Sequence, residues 1–208
     1  KLSKRLGTMG MAEFREAGVE PEALVALLAR LGTSQPVEPI AERQALVDGF
    51  SLDSFGRAPA RFDEAELHRL NAQIVHQLPY ARVARLLPEG MGEAAWEAIR
   101  PNLSQIGEAA DWWRVVTGPV APPAFDDDAR AYLATAAESL AGQEWGDVPW
   151  QVLTGALKQA TGRKGKALFL PLRQALTGLD HGPDMAALLP LIGRDEALAR
   201  LERAGAQA

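Results

Sequence analysis

Between Gln151 and Leu179 the chain carries five cations, Lys158, Arg163, Lys164, Lys166 and Arg173, and no acid. Two other stretches repeat the pattern. Lys1, Lys4 and Arg5 stand alone in the first twelve residues, and Arg69, Arg82 and Arg85 between Leu67 and Pro88. The acids gather elsewhere, in Asp126-Asp127-Asp128 and between Glu89 and Asp111. Segregation of this kind gives a local positive face to a protein whose formal net charge is −5. Such a face suits a phosphate backbone. The competing explanation of any charge run is a solvated helix face.

Other chemistry finds little support. Gly162-Arg163-Lys164-Gly165-Lys166 suggests a phosphate-cradling loop, but Ala160 stands where its first glycine belongs and Ala167 where Ser or Thr would hold a metal. The three histidines, His68, His76 and His181, are too far apart in sequence to suggest a ligand set. No cysteine is present, which removes disulfides, thiolate nucleophiles and zinc ribbons. No acid, base and nucleophile can be argued into one constellation. The five tryptophans, Trp96, Trp112, Trp113, Trp145 and Trp150, read as packing residues rather than stacking platforms for bases.

The elements that must position these cations are helices. Ala and Leu together number 65 against 23 for Val, Ile and Thr, a balance that favours helix. Pro21 opens a helix with Leu24, Leu27, Leu28 and Leu31 on one face and Gly32 at its end. Asp63 and Glu66 form a capping-box-like pair ahead of Leu67, Leu70 and Ile74, and Pro79 stops that run. Asp147 and Pro149 open a helix through Trp150, Leu153 and Leu157 to Gly162. Pro171 should kink or restart the helix between Lys166 and Thr177. Pro183 and Asp184 open another through Met185, Leu188, Leu189 and Ile192 to Gly193. Asp195 caps a last one with Leu198 and Leu201. Gly118–Pro123 reads as a linker, and residues 32–61 are the least helical part, with room for a short strand or two.

A chain of 208 residues with 47% hydrophobic content fits one or two globular domains. No run of 18 apolar residues exists, so no transmembrane helix is expected. The basic opening is followed by no apolar stretch and is no signal peptide. The chain does not begin with Met, and its start is read as a cut. A cytoplasmic, metal-free monomer is expected.

The opening Lys1-Leu2-Ser3-Lys4-Arg5, followed by Gly7, resembles the KMSKS signature of class I aminoacyl-tRNA synthetases. Three further motifs follow in order. Phe14-Arg15-Glu16-Ala17-Gly18, Pro21-Glu22-Ala23-Leu24 and Leu28-Ala29-Arg30-Leu31-Gly32 look like the helix after that signature in glutamyl enzymes. Phe62-Asp63 with Leu67 and Leu70-Asn71 resembles their next helix. Lys164-Gly165-Lys166, Pro171-Leu172-Arg173, Ala175-Leu176-Thr177-Gly178 and Gly182-Pro183 resemble a segment near their C-terminus, and Arg200-Leu201 falls in the closing helix. Ordered motifs across the whole chain are more specific than any one of them. The chain is similar to the C-terminal part of bacterial-type glutamyl-tRNA synthetases.

The resemblance implies a mainly all-α fold, with the signature loop and a small mixed stem-contact region over residues 1–78. A helical anticodon-binding domain over 79–208 would follow, possibly subdivided near 145. It implies that glutamate and ATP, with Mg2+ accompanying the nucleotide, are handled by a catalytic domain upstream. This chain alone would then bind tRNA but not charge it. Lys4 would contact ATP, and Lys1 would assist closure of the loop; two lysines three apart can carry charge to a departing pyrophosphate. Arg173 would contact the anticodon, since a guanidinium fork can read a base edge or stack on a splayed base. Lys164 and Lys166 would meet phosphate, and Thr177 would set local shape. Many relatives carry an arginine after the equivalent of Arg100-Pro101, where it reads the last anticodon base; here Asn102 stands, without the charge or the five-donor fork. Weaker discrimination at that base, or its reading by other means, is expected. A helical protein-interaction or regulatory module without RNA binding is the alternative; it explains the helices but not the ordered motifs.

Overall fold

The computed structural model describes residues 10–57 and 59–206. Lys1, Leu2, Ser3, Lys4 and Arg5 lie outside the described residues. By packing, the chain divides after Ala110 into two compact units.

The first unit is built from short helices: α1 (Met11–Glu16), α2 (Pro21–Arg30), α3 (Arg43–Asp48), α4 (Glu64–Val75), α5 (Tyr80–Val83) and α6 (Glu93–Ile99). Pro21 occupies the first turn of α2, where its missing N–H costs nothing. The buried face of α2 is Ala23, Ala26 and Leu27, while Leu28 is exposed, so the leucine stripe expected to face the core is largely displaced. Alanines on that face let α2 lie close against α4. Asp63 caps α4 by accepting from Ala65 N (2.9 Å) and Glu66 N (3.4 Å). Glu66 turns to Arg69 instead of back to the cap.

Asn71 ties the unit together. Its side chain, 2% exposed, accepts from Glu20 N (2.7 Å) and donates to the Gly18 (3.2 Å) and Ser104 (2.8 Å) carbonyls. Three segments far apart in sequence thereby close around one amide, as a buried polar group requires. The strands allowed for in residues 32–61 reduce to a single antiparallel bridge, Thr33 to Phe55, and no named strand occurs among the described residues.

The second unit contains α7 (Ala109–Thr117, which begins at the division), α8 (Asp127–Gly142), α9 (Pro149–Thr161), α10 (Lys166–Thr177), α11 (Met185–Ile192) and α12 (Arg194–Gly205). Helices α8 and α12 form its most extensive pair. Their contact is lined by small residues such as Ala136, Ala137, Ala197 and Ala204, which permit close approach of the two backbones. A side chain at Gly205 would come within 3.1 Å of the Ala134 backbone nitrogen. Leu133, Leu140, Leu153, Leu172, Leu188 and Leu201 are fully buried, each contributing about 1.5–3 kcal/mol through loss of water contact.

The caps of this unit agree with the sequence in part. Asp184 accepts from Ala186 N (3.0 Å) at the start of α11, and Gly162 ends α9 at φ +69°. For α12 the N-cap is Gly193 and Asp195 lies in the first turn, where its charge meets the positive end of the helix dipole without capping it.

Candidate nucleic-acid interface

The cations of residues 151–179 occupy α9, a short loop and α10. Lys158 lies in the last turn of α9, Arg163 and Lys164 in the loop, and Lys166 begins α10. Lys158, Lys164 and Lys166 are exposed and form no ion pair among the described residues. Lys166 and Arg173 are seven residues apart on one helix, so they share a face to within about 20°. Lys166 also feels Asp180, whose carboxyl is held below its ordinary value chiefly by the hydrogen bond from His181.

Arg163 is occupied. Its Nη2 donates to Asp128 Oδ2 (2.6 Å) and to the Asp128 carbonyl (3.1 Å), and its Nη1 to the Ala167 carbonyl (3.4 Å). Its guanidinium lies 4.3 Å from the centre of the Tyr132 ring. This arrangement answers what Pro171 does to α10. A proline has no N–H for the carbonyl four residues back, and its ring pushes against that carbonyl. Here that carbonyl is Ala167, and Arg163 provides the donor. The next carbonyl, Leu168, accepts from the Tyr132 hydroxyl (2.8 Å). The helix therefore runs unbroken from Lys166 to Thr177 instead of restarting. Burial pushes the Tyr132 hydroxyl up to about 12, against the opposing pull of Arg163, so it remains a donor.

Arg173 is half-buried. Its Nη2 donates to the Pro183 carbonyl (3.0 Å), while Nη1 is covered and has no hydrogen-bond partner among the described residues. Burial pulls its guanidinium below the ordinary value, and nearby Asp184 acts the other way. Among the described residues no carboxylate forms an ion pair with it. The turn that holds Arg173 is itself held: Gly182, at φ +128°, faces Trp112 so closely that a Cβ there would lie 2.1 Å from the indole. Thr177 is 3% exposed; its hydroxyl donates to the Arg173 carbonyl (2.7 Å) and accepts from Leu179 N (3.1 Å) at the end of α10. Its hydroxyl is engaged in finishing the helix below Arg173.

Asn102 belongs to the other unit. It is exposed, on a 3-10 turn (Arg100–Asn102) fixed by Arg100, which donates to the Leu78 carbonyl (2.9 Å) and pairs with Glu97 (2.5 Å). His76 holds the Leu103 carbonyl at 2.8 Å immediately after it. Lys164, Lys166, Arg173 and Thr177 are thus gathered at one helix and the loop before it, and Asn102 on a separate rigid turn.

The acid-free stretches are less free in space than in sequence. Arg163 meets Asp128, Arg82 pairs with Glu22 and Arg69 with Glu66. Two of the five tryptophans are buried, with Trp96 donating to the Leu78 carbonyl (2.8 Å) and Trp150 set against Phe169, while Trp112, Trp113 and Trp145 are half-buried.

One important arginine was not singled out by chemistry in the sequence. Arg200, 1% exposed, donates to Glu196 Oε1 (2.7 Å) and to the carbonyls of Val115 (2.9 Å), Leu176 (2.6 Å), Val116 (3.0 Å) and Gly118 (2.9 Å). It supplies donors to carbonyls left over where α7 and α10 end, and its charge suits the negative ends of both dipoles. Its position four residues after Glu196 hints at the pairing in the sequence, but not at the carbonyls.

Among the described residues no group of His, Cys, Asp and Glu could hold a metal, and no helix is long and apolar enough to cross a membrane.

The chain spans about half the length of the curated relatives it matches. Glutamate–tRNA ligase 1 of Novosphingobium aromaticivorans is 71% identical over 201 residues, which are 97% of this chain and 46% of that protein. Glutamate–tRNA ligase 2 of Erythrobacter litoralis is 64% identical over 207 residues, 100% of this chain and 45% of that protein. The crystal structure of a glutamate tRNA ligase from Elizabethkingia meningosepticum, in complex with its amino acid, matches with a TM-score of 0.74 at 22% identity, over 99% of this chain and 48% of that one. At that identity the likeness speaks for the fold. The resemblance read from four ordered motifs is borne out. A family model described as an anticodon binding domain matches residues 82–205, which take in α10 and every cation around it, and on that match the protein belongs to the anticodon-binding-domain family.

Proposed function

We propose that this chain is the tRNA-recognising part of a glutamate–tRNA ligase, and that α10 and the loop before it face the RNA. The reading is supported above all by the match of an anticodon binding domain over residues 82–205, the part of the chain in which Lys158, Lys164 and Lys166 stand exposed and, among the described residues, without ion pairs. In this reading Lys164 and Lys166 meet phosphate, which fixes position without reading sequence. Arg173 contacts the anticodon: its Nη1 meets no hydrogen-bond partner among the described residues, and a buried donor left so is costly until an acceptor reaches it. Thr177 supports the backbone beneath it. Asn102 offers an amide to a base, with weaker discrimination than a guanidinium would give.

Residues 1–78 are assigned to the signature loop and stem contact, and 79–208 to anticodon binding. The whole enzyme would attach glutamate to tRNA with ATP and Mg2+, Lys4 contacting the nucleotide and Lys1 assisting closure of the loop. It would work as a monomer in the cytoplasm. A helical protein-interaction module accounts for the helices but leaves the family match unexplained.

The test is binding of purified glutamate and glutamine tRNAs to the chain between about 50 and 200 mM salt. Affinity should fall steeply with salt, and Lys164→Ala and Lys166→Ala should each lower the slope by about one. Glutamate tRNA should be preferred only weakly at the last anticodon base. RNA affinity that is absent, or indifferent to salt, rejects the reading.

A further inference from the structure

The first turn of α10 lacks the backbone bond that Pro171 cannot make, and side chains from elsewhere replace it. The replacement comes from the loop itself. Arg163 reaches Ala167, four residues ahead, and Asp128, thirty-five residues back at the start of α8. The same loop residue has its backbone N–H on Thr161 Oγ1 (3.3 Å). Three anchors therefore meet at one residue, between the end of α9 and the start of α10.

Arg163 is poorly placed to serve RNA directly. Its side chain is 18% exposed, one face lies on the Tyr132 ring, and the Asp128 carboxylate offsets its charge. The next residues differ in every respect. Lys164 and Lys166 are exposed and form no ion pair among the described residues. A flexible lysine loses rotamer and loop freedom when it binds phosphate, and a loop already fixed loses less.

We propose that Arg163 is a positioning residue, which by bridging Asp128 and Ala167 over the Tyr132 ring fixes the loop that presents Lys164 and Lys166 to RNA phosphate. The inference rests on the RNA-binding reading above. It makes a prediction against plain electrostatics. Removing an acid from a cationic face strengthens RNA binding by charge alone. Removing Asp128 should weaken it, because the loop it anchors comes loose.

Two measurements on the full chain test this, using Asp128→Ala, whose native side chain is 85% exposed and whose loss leaves the core intact. At a temperature well below melting, tRNA affinity should drop by about fivefold, the order of ordering one freed side chain on binding. In a Lys164→Ala/Lys166→Ala background the same change should cost nothing further, a coupling that a merely structural role would not give. Tryptic cleavage after Lys164 should speed up by about fivefold as well, without any RNA present. Unchanged or tighter RNA binding overturns the inference, as does an equal loss in the lysine-free background or an unchanged cleavage rate. If the unaltered chain binds no tRNA, the RNA reading falls and takes presentation to phosphate with it. That result is told apart from failure of the clamp by the cleavage rate, which needs no RNA.

Discussion

The surroundings of Arg200 and of Arg173 lie in the same unit, on α12 and α10, and they use one side-chain type in two ways. Around Arg200 the guanidinium is sealed from water and satisfied by four carbonyls and Glu196. Around Arg173 Nη2 is held by Pro183, Nη1 has no partner among the described residues, and the side chain keeps part of its surface. Arginine identity therefore says nothing about role. What separates the two sites is the number of acceptors the fold brings within reach. Where backbone carbonyls converge, the side chain becomes part of the scaffold; where they do not, donor capacity remains for another molecule.

That contrast can be broken by mutation. The largest effect is expected at Arg200, where Arg200→Met should lower unfolding stability by about 3–5 kcal/mol, since it strands several buried carbonyls at once. Urea unfolding followed by tryptophan fluorescence would measure it. Arg200→Lys should recover little, because an ammonium cannot supply the planar fork. A midpoint unchanged from the parent would mean that the convergence of carbonyls carries no stability, and the comparison would fail.

A smaller and different effect is expected at Arg173. Arg173→Ala should reduce tRNA affinity by about tenfold or more, in line with loss of a specific base contact. Its unfolding stability should change by less than about 1 kcal/mol, because only one protein hydrogen bond is lost. Affinity from a titration and stability from the same urea series place the two arginines on separate axes. Large destabilisation with intact RNA affinity would reverse the assignment.

The smallest effect sharpens the Arg200 side. The hydrogen bond from Arg200 holds the Glu196 carboxyl below its ordinary value of 4.5, with Arg203 adding to the pull. A carboxyl whose folded pKa is depressed adds stability that is complete above the unfolded value and is lost as pH falls through the folded one. The protein should therefore lose a little stability on acidification below about 4.5. The Glu196 side chain is 41% exposed, so water screens the pair and the effect is modest. In Glu196→Gln the acid limb of a stability–pH curve should flatten; an identical limb would show that the pair contributes nothing measurable.

Much of the architecture is legible in the order of residues. Asp63, Asp184, Gly162 and Pro21 marked helix ends because capping is local, requiring only groups within a few residues. Burial was less legible. In α2 the leucine stripe suggests one face, yet of its leucines only Leu27 is buried, beside Ala23 and Ala26, because the close approach of α4 favours small side chains, a fact about the neighbour and not about α2. Pro171 pointed to a kink and received a donor instead, from an arginine whose own anchor lies at the start of another helix.

Helix content, most helix starts and stops, the family motifs and the segregation of cations all follow from the order of residues alone. Which of those cations remain available follows from the packing. Arg163 meets Asp128 across thirty-five residues and Arg200 meets Val115 across eighty-five, while Lys164 and Lys166 form no ion pair among the described residues. The reason is that a charge interacts with whatever lies within a few ångströms and with the water it has lost, and neither quantity is a function of position along the chain.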